Sequence, residues 1–211
     1  MTASGAAPTI RGIVPSTGEA IHALFAESAR VRHVFLEEEG ERLGRAVELI
    51  GDRLSGGGKL LLFGNGGSAA DAQHIATEFV GRLQRDRPAI AAIALTTDTS
   101  ALTAIANDYG YAEVFARQIE ALGRRGDVAL AISTSGRSAS VLRAVEACRE
   151  RGIAVVGLTG GNGGELANVS DVALRVSAST NSSRIQETHI LVGHVICELV
   201  ERRLFDSGAG R

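Results

Sequence analysis

His74 and Glu78 stand four residues apart in the stretch DAQHIATE. On a helix that spacing puts an imidazole and a carboxylate on one face. Together they are an acid/base couple or two ligands of a metal ion. Just upstream, Gly64-Asn65-Gly66-Gly67-Ser68 follows the bare apolar run Leu60-Leu61-Leu62-Phe63. Glycines let the chain turn sharply and come close to a ligand. Ser68 suits an N-cap, and Asp71 suits the first turn of the helix, where a carboxylate favours the dipole. Strand, glycine loop and helix N-terminus form an anion cradle. No Gly-Lys-Ser/Thr follows, so the loop is not a P-loop, and it does not fit the dinucleotide fingerprint.

A second loop, Ser133-Thr134-Ser135-Gly136-Arg137-Ser138, is rich in hydroxyls and opens another helix. Hydroxyls and backbone N–H groups at a helix start bind phosphate without a lysine. The blander alternative is that Ser138 only caps the helix. Two such loops at matching places in the chain favour the phosphate site. The last helical stretch carries Gln186, Glu187, His189 and His194. At 100° per residue Gln186 and His194 lie about 80° apart, whereas Glu187 and His194 nearly eclipse. Spacing alone leaves open which of these groups enters a site.

The elements that must position these residues follow from periodicity. Ser16 and Glu19 have capping-box spacing. Ile21, Leu24, Phe25 and Val31 mark one helical face; a second helix is expected from about Glu37, with Leu43, Val47, Ile50 and Leu54 on one stripe. Ser55-Gly56-Gly57-Gly58 ends it. These helices either pack on the sheet or pair with another subunit. The run 60–63 is too short for a helix and reads as a buried strand. Further strands are expected at 90–95, 127–132, 153–158 and 172–176. Helices are expected up to Ala106, around Val114–Leu122, along Val141–Cys148 and from about Arg184 to Leu204, with a turn at 107–110. Strand–helix alternation predicts an α/β fold: a doubly wound, flavodoxin-like sheet of five parallel strands with helices on both faces. Ligands of such sheets bind at the strands' carboxyl ends, so the two loops can face one site. The expected layout is a loose tail over 1–17 and one domain over 18–207.

Composition narrows the function classes. The 211 residues carry a net charge of −2, and Lys59 is the single lysine. No basic stripe suggests nucleic acid, and 4% aromatics leave no stacking platform for single strands. Cys148 and Cys197 are far apart and read as small core residues of a cytoplasmic protein. No signal peptide and no membrane-spanning run is evident.

GNGGS, the His74/Glu78 pair, Asn107-Asp108-Tyr109-Gly110, STSG and Arg184-Ile185-Gln186-Glu187 with His194 occur in this order. From about Ala20 to Leu204 the chain thereby resembles the sugar isomerase (SIS) family, and within it the phosphoheptose isomerase branch. The resemblance implies isomerisation of sedoheptulose 7-phosphate to D-glycero-D-manno-heptose 7-phosphate through an enediol, for ADP- or GDP-heptose. It implies a homotetramer with sites between subunits. It implies substrate contacts at Asn65, Gly66, Gly67, Glu78, Asn107, Asp108, Ser133, Thr134, Ser135, Ser138 and Gln186. It further implies one zinc ion per subunit on His74, Glu78, Gln186 and His194, with Glu78 and His194 as the acid/base pair. Arg137 departs from the asparagine of many relatives. A related branch, which binds the bacterial replication initiator and is not an isomerase, lacks the glutamate and the final histidine. Retention of Glu78 and His194 separates the enzyme reading from that adaptor reading. An isomerase of another phosphosugar is the remaining alternative.

Overall fold

The computed structural model describes residues 16–206. The expected tail therefore lies outside the described residues, apart from Ser16 and Thr17, which cap and open the first helix. The elements are α1 (Thr17–Ser55), β1 (Leu60–Gly64), α2 (Gly67–Val80), β2 (Ala92–Ala94), α3 (Thr99–Tyr109), a 3₁₀ turn (Tyr111–Glu113), α4 (Ala116–Leu122), β3 (Val128–Ser133), α5 (Ala139–Glu150), β4 (Ala154–Gly160), α6 (Gly164–Val169), β5 (Val172–Val176) and α7 (Ser182–Phe205). All strand pairs are parallel, in the order β2-β1-β3-β4-β5. This is the flavodoxin-like order, with its switch point between β1 and β3.

The strands alternate their side chains between two apolar layers. Leu60, Leu62, Leu130, Ile132, Val156 and Leu158 face α1, α2 and α7, meeting Ile50, Ile75, Phe79 and Ile196. Leu61, Phe63, Ala129, Ala131 and Val155 face α4 and α5, meeting Phe115, Ile119, Val141 and Val145. Each fully buried Leu, Ile or Phe stabilises the fold by about 1.5–3 kcal/mol. Cys197 belongs to the first layer and Cys148 to the second. The sheet lies between them, and both thiols are free. Burial pushes the Cys148 thiol up to about 12.

Three expectations are corrected, and one helix is added. The two leading helices are one helix of 39 residues. No proline interrupts 31–37, and Gly40 alone costs too little to break a helix this long. Its capping box does form: Glu19 N–H donates to Ser16 Oγ at 3.3 Å, and Ser16 N–H to Glu19 Oε2 at 2.7 Å. Residues 107–109 are the last turn of α3 rather than a turn, with Gly110 at its C-cap. Strand β2 is confined to Ala92–Ala94 at the sheet edge. The glycines at 160–164 lead into a short helix, α6, that apolar periodicity did not reveal because it buries only Leu166.

The first turns of α1 stand clear of the body. Ile21, Leu24 and Phe25, at helical spacing on one face, are exposed, Phe25 by 76%. An isolated segment of this length is marginal in water.

One buried group makes stability depend on pH. His189, on α7, is fully buried, and its Nε2 meets Thr159 O of β4 at 3.1 Å. Its Nδ1 has no partner among the described residues. Desolvation lowers its pKa to about 4, against the opposing hydrogen bond. Between about pH 6.5 and 4 the unfolded chain binds the proton and the folded chain does not, so stability falls as pH falls through that window. Full protonation of the unfolded state costs about 3 kcal/mol. His189→Gln keeps a donor for Thr159 without titrating. Urea melts at pH 7 and pH 4.5 should show a smaller acid loss for the variant than for wild type; equal losses would remove His189 as the cause.

Candidate active site

The site grows from the carboxyl ends of β1 and β3. After β1 the chain turns at Gly66, whose φ of 57° and ψ of −122° suit glycine alone. Gly66, not Ser68, is thus the N-cap of α2, and Ser68 is buried in its first turn. Asn65 Nδ2 donates to Ser138 Oγ at 2.8 Å and to Ser140 Oγ at 3.0 Å, so the two loops are tied together. Ser138 makes no side-chain cap to α5; its hydroxyl is turned to Asn65 instead. A cavity of about 180 Å³ opens between the loops, lined by Asn65, Ser68, Ile132, Ser133, Thr134, Ser135, Ser138 and Gln186. Tyr111 is a site neighbour that the sequence did not suggest: its hydroxyl donates to Asn65 Oδ1 at 2.8 Å.

The hydroxyl loop is braced from behind. Gly136 has φ +63°, and a Cβ there would meet Gly163 O at 2.0 Å. Leu166 N–H donates to Gly136 O at 3.0 Å. The glycine-rich segment after β4 is therefore the seat of the β3 loop.

Further along α2, His74 and Glu78 meet His194 of α7. His74 Nε2 lies 3.2 Å from Glu78 Oε1 and 3.1 Å from His194 Nε2. One ligand atom of each residue falls within 4.8 Å of the other two. Two ligands held at about 2.0–2.1 Å by a tetrahedral zinc ion lie about 3.3 Å apart, so the pairs around His74 fit such an ion. The other polar groups of α7 go elsewhere. Glu187 accepts from Ser28 Oγ at 2.6 Å and pairs with Arg184, which hold its carboxyl below the usual range. His189 is in the core.

Gln186 reaches the N-terminus of α2: a Cβ on Gly67 would meet its Nε2 at 2.4 Å. It thus lines the cavity from α7. Asp71 is the fifth residue of α2, beyond the first turn assigned to it from sequence. Its Oδ2 is buried without a partner among the described residues, and desolvation raises its pKa, opposed by His74. An acceptor is thereby left unused beside the triad. Asn107 and Asp108 are exposed at the end of α3, outside the cavity lining, with Asn107 Nδ2 donating to Asp108 at 2.8 Å. Arg137 is exposed.

Ser68 and His74 are six residues apart, about 9 Å of helix rise. An elongated ligand anchored by its anionic end in the hydroxyl cavity can therefore present its other end to the triad.

Comparison with known proteins bears on the fold and the family. Residues 23–160 match the SIS domain family. A phosphoheptose isomerase from Roseiflexus sp. (strain RS-1) is 56% identical over 179 residues, covering 85% of this chain and 90% of that protein. The structure of phosphoheptose isomerase from Neisseria gonorrhoeae aligns with TM-score 0.83 at 48% identity, over 88% of this chain and 99% of that one. That of a phosphoheptose isomerase from Francisella tularensis aligns with TM-score 0.85 at 36% identity, over 89% and 100%.

Proposed function

This chain belongs to the SIS domain family and, within it, to the phosphoheptose isomerases, and from that premise we propose that it converts sedoheptulose 7-phosphate to D-glycero-D-manno-heptose 7-phosphate for heptose biosynthesis. The observation that carries the reading is the His74–Glu78–His194 cluster, set along α2 from a hydroxyl-lined cavity.

The phosphate end of the sugar binds Ser133, Thr134, Ser135 and Ser138, with the α2 N-terminus at Gly66 and Gly67 adding its dipole. Asn65, Asn107, Asp108 and Gln186 contact the sugar. Binding energy from this end fixes the reacting carbons at the triad. The Glu78 carboxylate takes the proton from C1 of the ketose, giving the 1,2-enediolate. His194 moves the hydroxyl proton from O1 to O2, and the carboxyl returns its proton to C2, giving the aldose. A zinc ion on His74, Glu78, His194 and Gln186 would polarise the carbonyl.

The exposed apolar face at Ile21, Leu24 and Phe25 supports a homotetramer, in which α1 meets another subunit and Asn107 and Asp108 serve a site completed across the interface. No helix among the described residues is long and apolar enough to cross a membrane, and the free, buried cysteines suit a cytoplasmic enzyme.

The test is purified protein with a panel of ketose phosphates, following aldose formation. Turnover of the seven-carbon ketose above shorter ones is expected. No turnover with any, beside capture of a protein partner, overturns the reading in favour of an adaptor. Elemental analysis should find about one zinc per chain, and chelation should abolish turnover until metal is restored. Full activity after chelation, with no metal detected, removes the metal and leaves the acid/base pair.

A further inference from the structure

Helices α2 and α7 carry the whole triad, so their relative register sets its geometry. They touch closely at mid-length, where a Cβ on Gly193 would meet Ile75 Cδ1 at 2.5 Å. Near the cavity Gln186 lies against Gly67. At the far end the contact is made by an ion pair. Arg87, in the segment between α2 and β2, and Glu201, on α7, have side chains only 3% and 2% exposed. Arg87 Nε donates to Glu201 Oε1 at 2.8 Å, and Nη2 lies 2.6 Å from the same oxygen.

The guanidinium does more than pair. Nη2 donates to the backbone carbonyl of Glu78 at 2.7 Å, and Nη1 to the carbonyls of Phe79 at 2.7 Å and Gly81 at 3.1 Å. Those carbonyls lie at the end of α2, where the helix has no N–H groups of its own to offer. A cation there also suits the dipole. One of them belongs to Glu78 itself. Glu201 follows His194 by seven residues, about 20° from eclipsing it, so both point towards α2. One planar fork thus grips the backbone of one triad residue and, through Glu201, the helix of another.

We propose that Arg87 and Glu201 are positioning residues for the reaction: their buried pair holds the end of α2 against α7 and sets the spacing of Glu78 and His194. The inference rests on the function proposed above. Arginine suits the role better than lysine, because five donors in a fixed plane can serve a carboxylate and several carbonyls at once. A buried pair is also a poor device for stability alone, since apolar replacements of similar volume are often as stable or more so.

Two variants separate positioning from stability. Arg87→Lys keeps the charge opposite Glu201 but loses the fork. Its kcat is expected to fall about 10-fold or more, with KM within about 3-fold because the hydroxyl cavity lies at the other end of α2. Its zinc affinity, measured by competition with a chromogenic chelator, is expected to weaken about 10–100-fold, as when groups behind metal ligands are altered. The double variant R87M/E201L removes both charges. Its melting temperature is expected at or above that of Arg87→Lys, while kcat and zinc affinity stay impaired. Wild-type kcat and zinc affinity in folded Arg87→Lys overturn the proposal, and so does a double variant that recovers both together with its melting temperature. If the double variant does not fold, Arg87→Lys decides alone. Wild-type protein with neither turnover nor zinc binding overturns the proposed function as well; active wild type with equally active variants overturns only the positioning role.

Discussion

Glu78→Gln is expected to lower turnover by roughly 10²–10⁴-fold, the usual loss on removing a general acid/base group, while the sugar phosphate still binds. An amide cannot accept the proton from carbon, yet it nearly matches the carboxylate in volume. The site can tolerate the change. Glu78 lies on the last full turn of α2, its side chain only 18% exposed, and its backbone carbonyl is held by Arg87. No helix-end role explains a carboxylate there, because anions favour the opposite end of the dipole. The phosphate contacts lie at the N-terminal end of the same helix and are untouched. The measurement is kcat beside direct calorimetric binding of the ketose phosphate to wild type and variant. Near-normal turnover in the variant would remove Glu78 as the base. The search would then move to His194, since Glu187 is occupied by Ser28 and Arg184 on the α1 side.

That last point shows where sequence spacing stopped being informative. Around an ideal helix Glu187 eclipses His194 better than Gln186 does, so periodicity alone left open which of them joins the triad. What decides is the partner each residue finds. Ser28 of α1 takes Glu187, the core takes His189, and Gly67 leaves room for Gln186. These are contacts between residues more than a hundred positions apart, or thirty in the case of His189 and Thr159. The sheet was easier to read. Buried parallel strands are short apolar runs between glycine and polar loops, and β1, β3, β4 and β5 fall where those runs lie. The edge strand β2 lacks the burial that makes such a run distinctive, and its extent was overread. The face at Ile21 to Val31 and the stripe from Leu43 to Leu54 read as two helices, but only a proline or a capping motif between them would have made a boundary.

The two loops were legible for a different reason. Glycines and hydroxyls at strand ends are chemical signals that need no periodicity. Their joining by Asn65 was not legible, and neither was Tyr111, whose only mark in the sequence is an aromatic ring after Gly110. Asp71 was visible but misassigned. A carboxylate at a helix start reads as a dipole partner, and only the position of Gly66 as N-cap moves it past the first turn to an unpartnered place beside His74.

Replacing Ser133 and Ser135 together by alanine is expected to raise KM about 10²-fold or more with kcat little changed. Hydrogen bonds to charged groups contribute about 1.5–3 kcal/mol each, so two lost together would weaken binding by about 10²–10⁴-fold. The lower end is favoured because Thr134, Ser138 and the backbone N–H groups of two helix starts remain. The fold should hold. The loop's course is set by Gly136 against Gly163 and by the Leu166 N–H to Gly136 O bond, not by the serine hydroxyls. Ser135 Oγ accepts only a marginal 3.3 Å bond from Arg137 N–H. Because the phosphate is remote from the carbons that react, its contacts are made equally in ground and transition states, and their loss appears in KM. Inorganic phosphate gives an independent reading as a competitive inhibitor, and its inhibition constant should rise in parallel with KM. An unchanged KM with an unchanged phosphate inhibition constant would place the anion elsewhere; a fall in kcat alone would instead move these serines towards the reacting carbons, reversing the direction in which the substrate lies along α2.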